Sequence, residues 1–496
     1  MPYTPSRASL RTHPVPDWFH DAKLGIFIHW TPASVPAWAP LSGEPPQVIA
    51  RHGWRYWFAN NPYVEWYANS LRIPGSPTQR YHAATYGADF PYDNFIPMFQ
   101  QATERWDPAL WANIFAEAGA RYVVLVTKHH DGFLLWPSQH PNPHKPGYQS
   151  RRDLVGELAT AVRSRGMRFG TYYSGGLDWT FDSRPIQGLG DMVAAIPQHP
   201  EYAAYVDAHW RELIARYQPS VLWNDIGYPA RADLLGLFAH YYNTIPDGVV
   251  NDRFLQFNLG EEGSWRYRLT LQAVQAGAWL LTRLGGEFGS PGGGIHADFR
   301  TPEYTAARKI TPWKWEATRG MGYSFGYNQL ETDQHMIPVE RLIHLLVDIV
   351  SKNGNLLLNV GPMADGTIPE IQLRRLRGLG SWLARHGEAI YGTRPWVRAE
   401  GSTADGTPLR YTCRGNILYA VVLGRPAGPE VVIRELALPD IARVRLLGHE
   451  EPLAWQLAGR DLRLRLPSAL ESESRAQLAS PAWVFKIERH GQGSIR

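Results

Sequence analysis

The chain has 496 residues, 44% hydrophobic and 19% charged, which is enough for a large buried core plus a smaller unit and excludes intrinsic disorder. Its 50 basic and 46 acidic side chains leave a net charge of +4 without a Lys/Arg run, so neither nucleic acid nor a membrane surface is indicated as a partner. The single cysteine, Cys413, rules out an intrachain disulfide framework. No apolar run reaches the ~18 residues of a membrane span. Residues 1–16 carry arginines but no apolar h-region, so no signal peptide is expected, and a reducing cytoplasm fits.

In chain order, short apolar runs end abruptly in polar or aromatic residues. Gly25-Ile26-Phe27-Ile28 stops at His29, and Tyr122-Val123-Val124-Leu125-Val126 at Lys128, His129 and His130. Arg168-Phe169-Gly170-Thr171 leads to Tyr172 and Tyr173, Ser220-Val221-Leu222-Trp223 to Asn224 and Asp225, and Gly248-Val249-Val250 to Asp252 and Arg253. Such runs predict strands buried on both faces. Between and after them, segments 108–118, 153–167 and 201–217 repeat apolar residues every three or four positions, which predicts helices. Segment 339–350 is apolar on most sides and is expected to be deeply buried. Alternating strands and helices imply a parallel sheet, and without an early G-x-G-x-x-G the closed (β/α)8-like barrel is favoured over an open doubly wound sheet.

Beyond Gly392-Thr393-Arg394-Pro395 the texture changes to short alternating runs broken by Gly, Pro or Asp, which predicts a smaller all-β domain. The expected division is 1–394 for the barrel, with an extra stretch at 254–297, and 395–496 for a β-sandwich-like domain. Cys413 falls in one of the later strands, where a buried, packing role is expected.

In a barrel, the residues at strand C-termini share one mouth. There the sequence gathers a carboxylate, an arginine, three histidines and several aromatics. A retaining glycosidase needs two carboxyl groups about 5 Å apart, one to attack and one to protonate the leaving oxygen. Asp225 suits the attacking group, with Arg253 able to keep it ionised; the alternative is that Asp225 caps the following helix. Neighbouring His129 and His130 would face opposite sides of a strand, so hydrogen bonding to a ligand is favoured over a shared metal, and no metal is expected.

The motifs themselves resemble the α-L-fucosidases of glycoside hydrolase family 29. They run in order: W-F-H-D-A-K-L-G-I-F-I-H-W from Trp18, Glu65-Trp66-Tyr67, Lys128-His129-His130-Asp131-Gly132-Phe133, Tyr172-Tyr173-Ser174 and Leu222-Trp223-Asn224-Asp225. Asn251-Asp252-Arg253, D-F-R-T-P-E-Y from Asp298, Lys314-Trp315-Glu316, Ser324-Phe325-Gly326-Tyr327-Asn328 and S-K-N-G-N-L-L-L-N-V-G-P from Ser351 complete the set. The resemblance implies Asp225 as nucleophile and His29, Glu65, Trp66, His129 and His130 as ligands of the sugar hydroxyls. It places Trp223 and Arg253 beside the nucleophile, Tyr172 in the pocket, Phe325 as a wall for the C6 methyl, and Glu316 in support. Glu303 matches the acid/base position, and Glu287, within the extra stretch, is its rival. Glu65 could alternatively form a salt bridge on a helix surface, and His20 and His209 are expected to pack.

The extra stretch, partly helical in pattern and followed by glycines, has two uses: covering the barrel mouth, or packing against another copy in a homo-oligomer. No cofactor is implied, and the expected partners are fucosylated oligosaccharides or glycoconjugates. Two rival readings are a catalytically silent fucose-binding protein and a glycosidase for another sugar with an axial 4-hydroxyl, such as an α-galactoside. Phe325 disfavours the second, because a 6-hydroxyl there would be desolvated without a partner.

Overall fold

The computed structural model describes residues 2–260, 263–283, 294–438, 440–467 and 480–490. Seven strands build one parallel, curled sheet: β1 (Leu24–Ile28), β2 (Tyr122–Lys128), β3 (Arg168–Tyr173), β4 (Val221–Asn224), β5 (Val249–Val250), β6 (Trp315–Arg319) and β7 (Gly354–Val360). Their order is β5-β4-β3-β2-β1-β7-β6. Residues 299–303 join the two edges: Phe299 bridges Asn251 just beyond β5, while Arg300 and Glu303 bridge Trp315 and Thr318 of β6. This irregular segment acts as an eighth stave, and the (β/α)8-like barrel is closed. On the β5 side, side chains replace part of the ladder. Val250 N–H donates to Asp298 Oδ2 at 2.7 Å and Thr301 N–H to Asp252 Oδ1 at 3.1 Å.

Strand alternation sorts the apolar runs into two layers. Phe27, Tyr122, Val124, Val126, Tyr172, Val221, Trp223, Val249 and Leu357 pack together within the ring. Leu24, Ile26, Val123, Leu125, Phe169, Leu222, Leu356 and Leu358 join the core shared with the surrounding helices. Gly25 lies where the Tyr122 ring crosses the interior; a Cβ there would come within 2.4 Å of that ring.

The predicted helices form at Pro108–Glu117, Leu154–Ser164, Pro200–Tyr217 and Val339–Ser351. Proline opens the first and third, where its missing N–H costs nothing. The fourth is one-sided rather than apolar all round: Leu342, Ile343, Leu346, Val347, Ile349 and Val350 are buried while Glu340 and Arg341 are exposed. It lies against both β7 and the C-terminal sheet, which accounts for its deep face. His209 packs as expected, with Nδ1 2.9 Å from Tyr173 Oη and Nε2 2.8 Å from the His140 carbonyl.

The C-terminal part holds β8 (Arg394–Ser402), β9 (Pro408–Arg414), β10 (Ile417–Val422), β11 (Glu430–Ile433), β12 (Ile441–Leu446), β13 (Ala454–Ala458), β14 (Asp461–Arg465) and β15 (Trp483–Arg489). They make a five-stranded sheet, β12-β15-β10-β9-β8, and a three-stranded one, β11-β14-β13, around a shared core that includes Leu418, Ile433, Leu464 and Phe485. Cys413 is buried on β9, with Sγ 3.5 Å from the Pro395 carbonyl. The five-stranded sheet leans on the barrel helices, where Trp382 Nε1 donates to the Ala482 carbonyl and Arg410 meets Asp348.

Within the extra stretch, helix Trp265–Arg283 packs against helices Leu189–Ala194 and Pro45–His52, and Trp265 and Leu269 are exposed. Val48 and Ile49 of the latter helix share a core with Trp66, Trp179 and Phe325 at the strand C-termini, so the stretch borders the barrel mouth. Among the described residues, no helix is long and apolar enough to cross a membrane.

Candidate active site

Asp225 directly follows β4, Arg253 follows β5, and Glu303 ends the closing segment. Arg253 Nη1 donates to Asp225 Oδ1 at 2.8 Å, and its Nη2 meets Glu303 Oε1 at 2.6 Å. One guanidinium therefore joins the two carboxylates through its two terminal nitrogens. Asp225 Oδ1 also accepts the Ile226 N–H at 3.0 Å, and Oδ2 accepts the Tyr172 hydroxyl at 2.8 Å. Asp225 is not a helix cap. The next helix, Leu234–Thr244, is capped by Asp233, whose side chain accepts from Gly236 N–H.

Arg253 is held on three sides. Its Nε donates to Thr301 Oγ1 at 2.8 Å, its Nη2 to the Thr301 carbonyl at 2.9 Å, and the Trp223 ring lies 4.7 Å away. Thr301 in turn donates to Asp252 Oδ1 at 2.7 Å. The residue after each carboxylate is left-handed, Ile226 at φ 53° and Tyr304 at φ 52°. Such backbone costs about 1–3 kcal/mol per residue and recurs at functional sites. Burial raises the Glu303 pKa; Arg253 opposes the shift and the Asp225 charge reinforces it.

The adjacent histidines reach the same pocket because β2 ends at Lys128, with its register against β3 slipping between Val126 and Lys128. A turn, Gly132 N–H to the His129 carbonyl at 3.1 Å, then folds the chain and leaves the two rings 3.9 Å apart. His130 Nδ1 lies 2.6 Å from Ser174 Oγ, which donates its own proton to the Leu177 carbonyl. His130 must therefore donate through Nδ1, leaving Nε2 as an acceptor. That Nε2 stands 4.0 Å from Asp225 Oδ2. Burial, with Lys128 and His29 adding to it, holds His130 well below its usual range, so this contact joins a neutral ring to a carboxylate.

His29 Nδ1 lies 2.6 Å from Asn359 Oδ1, and Asn359 Nδ2 donates to the Phe325 carbonyl, so here too Nε2 is the free acceptor. Burial lowers His29 to about 4. His129 is buried, and its Nδ1 has no hydrogen-bond partner among the described residues.

Glu65 is not on a helix surface. It is buried on the short turn Val64–Trp66, accepts the Gly326 N–H at 2.8 Å, and is raised by burial to about 8. Trp66 stands edge-on to His130 at 5.1 Å and to Trp179 at 5.6 Å. Tyr172 stacks on His129 at 5.8 Å and Trp223 at 5.4 Å. Phe325 lies 4.9 Å from His29, 5.2 Å from Tyr63 and 5.7 Å from Tyr304. Glu316, beneath, accepts from Trp223 Nε1 at 3.0 Å and from the Tyr122 hydroxyl.

Glu287 and glycines 285–293 lie outside the described residues. No group of three or more His, Cys, Asp or Glu suited to a metal occurs among the described ones. Ser174, Asn359, Thr301 and Asp252, which orient the polar side chains above, carry no separate signal in the sequence. Their only mark is a place inside the motifs or beside a strand end.

Residues 1–388 match the family described as alpha-L-fucosidase, and residues 405–488 match the alpha-L-fucosidase C-terminal domain. The structure of Thermotoga maritima alpha-fucosidase in complex with a mechanism-based inhibitor is 43% identical, with a TM-score of 0.82 over 98% of this chain and 100% of that one. The same enzyme in complex with fucose aligns at 44% identity and a TM-score of 0.80, again over 98% and 100%. Human tissue alpha-L-fucosidase is 31% identical over 496 residues, 98% of this chain and 91% of the human protein. The chain thus belongs to the α-L-fucosidases, glycoside hydrolase family 29.

Proposed function

We propose that the protein removes terminal α-linked L-fucose by double displacement, with Asp225 as nucleophile and Glu303 as acid/base. The observation that carries this reading is the Arg253 guanidinium bonded to both carboxylates. Sharing one guanidinium suits the separation of roughly 5 Å used by a retaining pair. Arg253 and Tyr172 bond to Asp225 and aim it to attack the anomeric carbon, while burial favours a protonated Glu303, ready to donate to the leaving oxygen. The covalent fucosyl-enzyme then yields to water activated by Glu303, with configuration retained. A sugar hydroxyl in place of water gives transfer of fucose.

The acceptor nitrogens of His29 and His130, with His129, Glu65 and Trp66, suit a ring of sugar hydroxyls. Phe325, backed by Tyr63 and Tyr304, suits the methyl group of a 6-deoxy sugar. Fucosylated oligosaccharides or glycoconjugates are the proposed substrates.

The test is aryl α-L-fucoside hydrolysis by wild type, Asp225→Asn, Glu303→Ala and Glu287→Ala. Asp225→Asn is expected to abolish turnover, and Glu303→Ala to lower it by about 10²–10⁴-fold with rescue by azide. Rescue of Glu287→Ala instead would move the acid/base into the extra stretch. Faster cleavage of an aryl α-galactoside than of the fucoside would overturn the substrate.

A further inference from the structure

At the opposite end of the barrel, below the N-terminal ends of the strands, basic groups gather near carboxylates that are bonded to other donors. Lys23 follows helix Asp17–Ala22 and leads into β1, and Lys314 leads into β6. Their side chains are buried, at 0% and 3% exposure, and neither Nζ has a hydrogen-bond partner among the described residues. The same holds for Nδ1 of half-buried His20. Arg394, at the start of β8, adds a charge that cannot be shed.

The nearby carboxylates are already engaged. Asp21 accepts from Arg394 at 2.6 Å, and Glu316 from Trp223 and Tyr122. Each basic group feels the others: burial, then Lys23 and Arg394, push Lys314 well down against Glu316 and Asp21, and burial, then Arg394, bring Lys23 to about 7 against Asp21. Burial, then Lys314, Arg394 and Lys23, lower His20 to about 4. Lys23 also sits at φ 60°, where glycine would be unstrained, so a long basic side chain is kept at a conformational cost.

We propose that Lys23, Lys314 and His20 form a buried binding site for a small monovalent anion of the halide class. Each ammonium brings three donors, and a buried charge is stable only when it is paired. Asn355 Oδ1 on β7, an acceptor also without a partner among the described residues, can take one of the remaining protons. A bound anion keeps Lys314 protonated, and Lys314 favours the ionised form of Glu316, the acceptor of Trp223.

The test is a sodium bromide soak of crystals of the full chain, with diffraction recorded at the bromine edge. An anomalous peak within hydrogen-bond reach of both Nζ atoms is expected. In solution, Tm is followed against sodium chloride at constant ionic strength, balanced with sodium gluconate. Wild type is expected to rise saturably by a few degrees, and Lys314→Met to show no chloride-specific rise. No bromide peak between the lysines, or a Tm that follows ionic strength alone, overturns the site in favour of neutral amines. Should Lys314→Met fail to fold, the bromide diffraction from wild type decides.

Discussion

Arg253 concentrates the electrostatics of the site in one side chain. It is buried, charged at every working pH, and in contact with Asp225, Glu303, Thr301 and Trp223. Replacing it with methionine leaves two half-buried carboxylates without their shared counter-charge. kcat/KM is expected to fall by about 10²–10³-fold, comparable to losing a donor aimed at reacting charge. The direction of a second effect follows from Glu303. Arg253 holds the pKa of that carboxyl down against burial, so its removal lets the pKa climb. In its proposed role as the acid, Glu303 then keeps its proton to higher pH, and the alkaline limb of the kcat/KM profile is expected to move upward. A limb that stays in place in Arg253→Met would assign it to another group. Glu65, brought to about 8 by burial, is a second raised carboxyl in the same pocket, so Glu65→Gln is the control that separates the two.

At the scale of elements, the closing segment 299–303 is where structure and chemistry meet. Thr301 accepts from Arg253 and donates to Asp252 through one hydroxyl. Thr301→Val preserves shape but leaves the Arg253 Nε–H and the Asp252 carboxylate each short of a partner. A loss of about 1–3 kcal/mol in stability is expected by denaturant titration, with a drop in kcat and little change in KM. An unchanged kcat would show that Arg253 needs no support from this side.

The same segment marks the limit of what the sequence discloses. The runs that became β1 to β5 are readable because both faces are apolar, and their terminal His29, Asp225 and Arg253 can be picked out as polar residues at strand ends. In β6, Glu316 and Thr318 interrupt the apolar run, so its period is hidden. Residues 299–303 include a proline and an arginine and are held by isolated bridges, which leaves no periodic signature at all. Glu303 was therefore accessible only through the motif around it. Likewise, that His129 and His130 share a pocket depends on a register slip and a turn, which alternation along a strand does not foretell.

Across the whole molecule, several buried carboxyl groups lie above their ordinary range, chiefly from burial: Glu65 at about 8, Glu316 at about 7 and Glu331 at about 7. A carboxyl with a raised pKa in the folded state binds its proton more tightly there than in the unfolded chain. Its contribution is complete below the unfolded value and is lost as pH rises through the folded one. Stability is thus expected to decline between about pH 5 and 8, by up to about 1.4 kcal/mol per pH unit for each such group. Glu331→Gln tests this. Glu331 Oε1 accepts the N–H groups of Tyr323 and Ser324, which the amide oxygen can still do, while the titration is removed. Tm plotted against pH should be flatter in this variant; an identical slope would exclude Glu331 as a contributor.

The ring is closed beside β5 partly by carboxylates, where other neighbouring strands are joined by peptide carbonyls. A peptide carbonyl does not titrate in ordinary buffers, but Asp298 does. Its pKa is held below the usual carboxylate range by His13 and His296, against the effect of burial. Its stabilising effect is therefore present at neutral pH and lost as pH falls through that depressed value. The barrel has an acid-labile clasp, and the clasp carries Glu303. Strong acid should spring this joint before it dissolves the helical shell, and amide exchange at 299–304 should report the opening while circular dichroism still reads as folded.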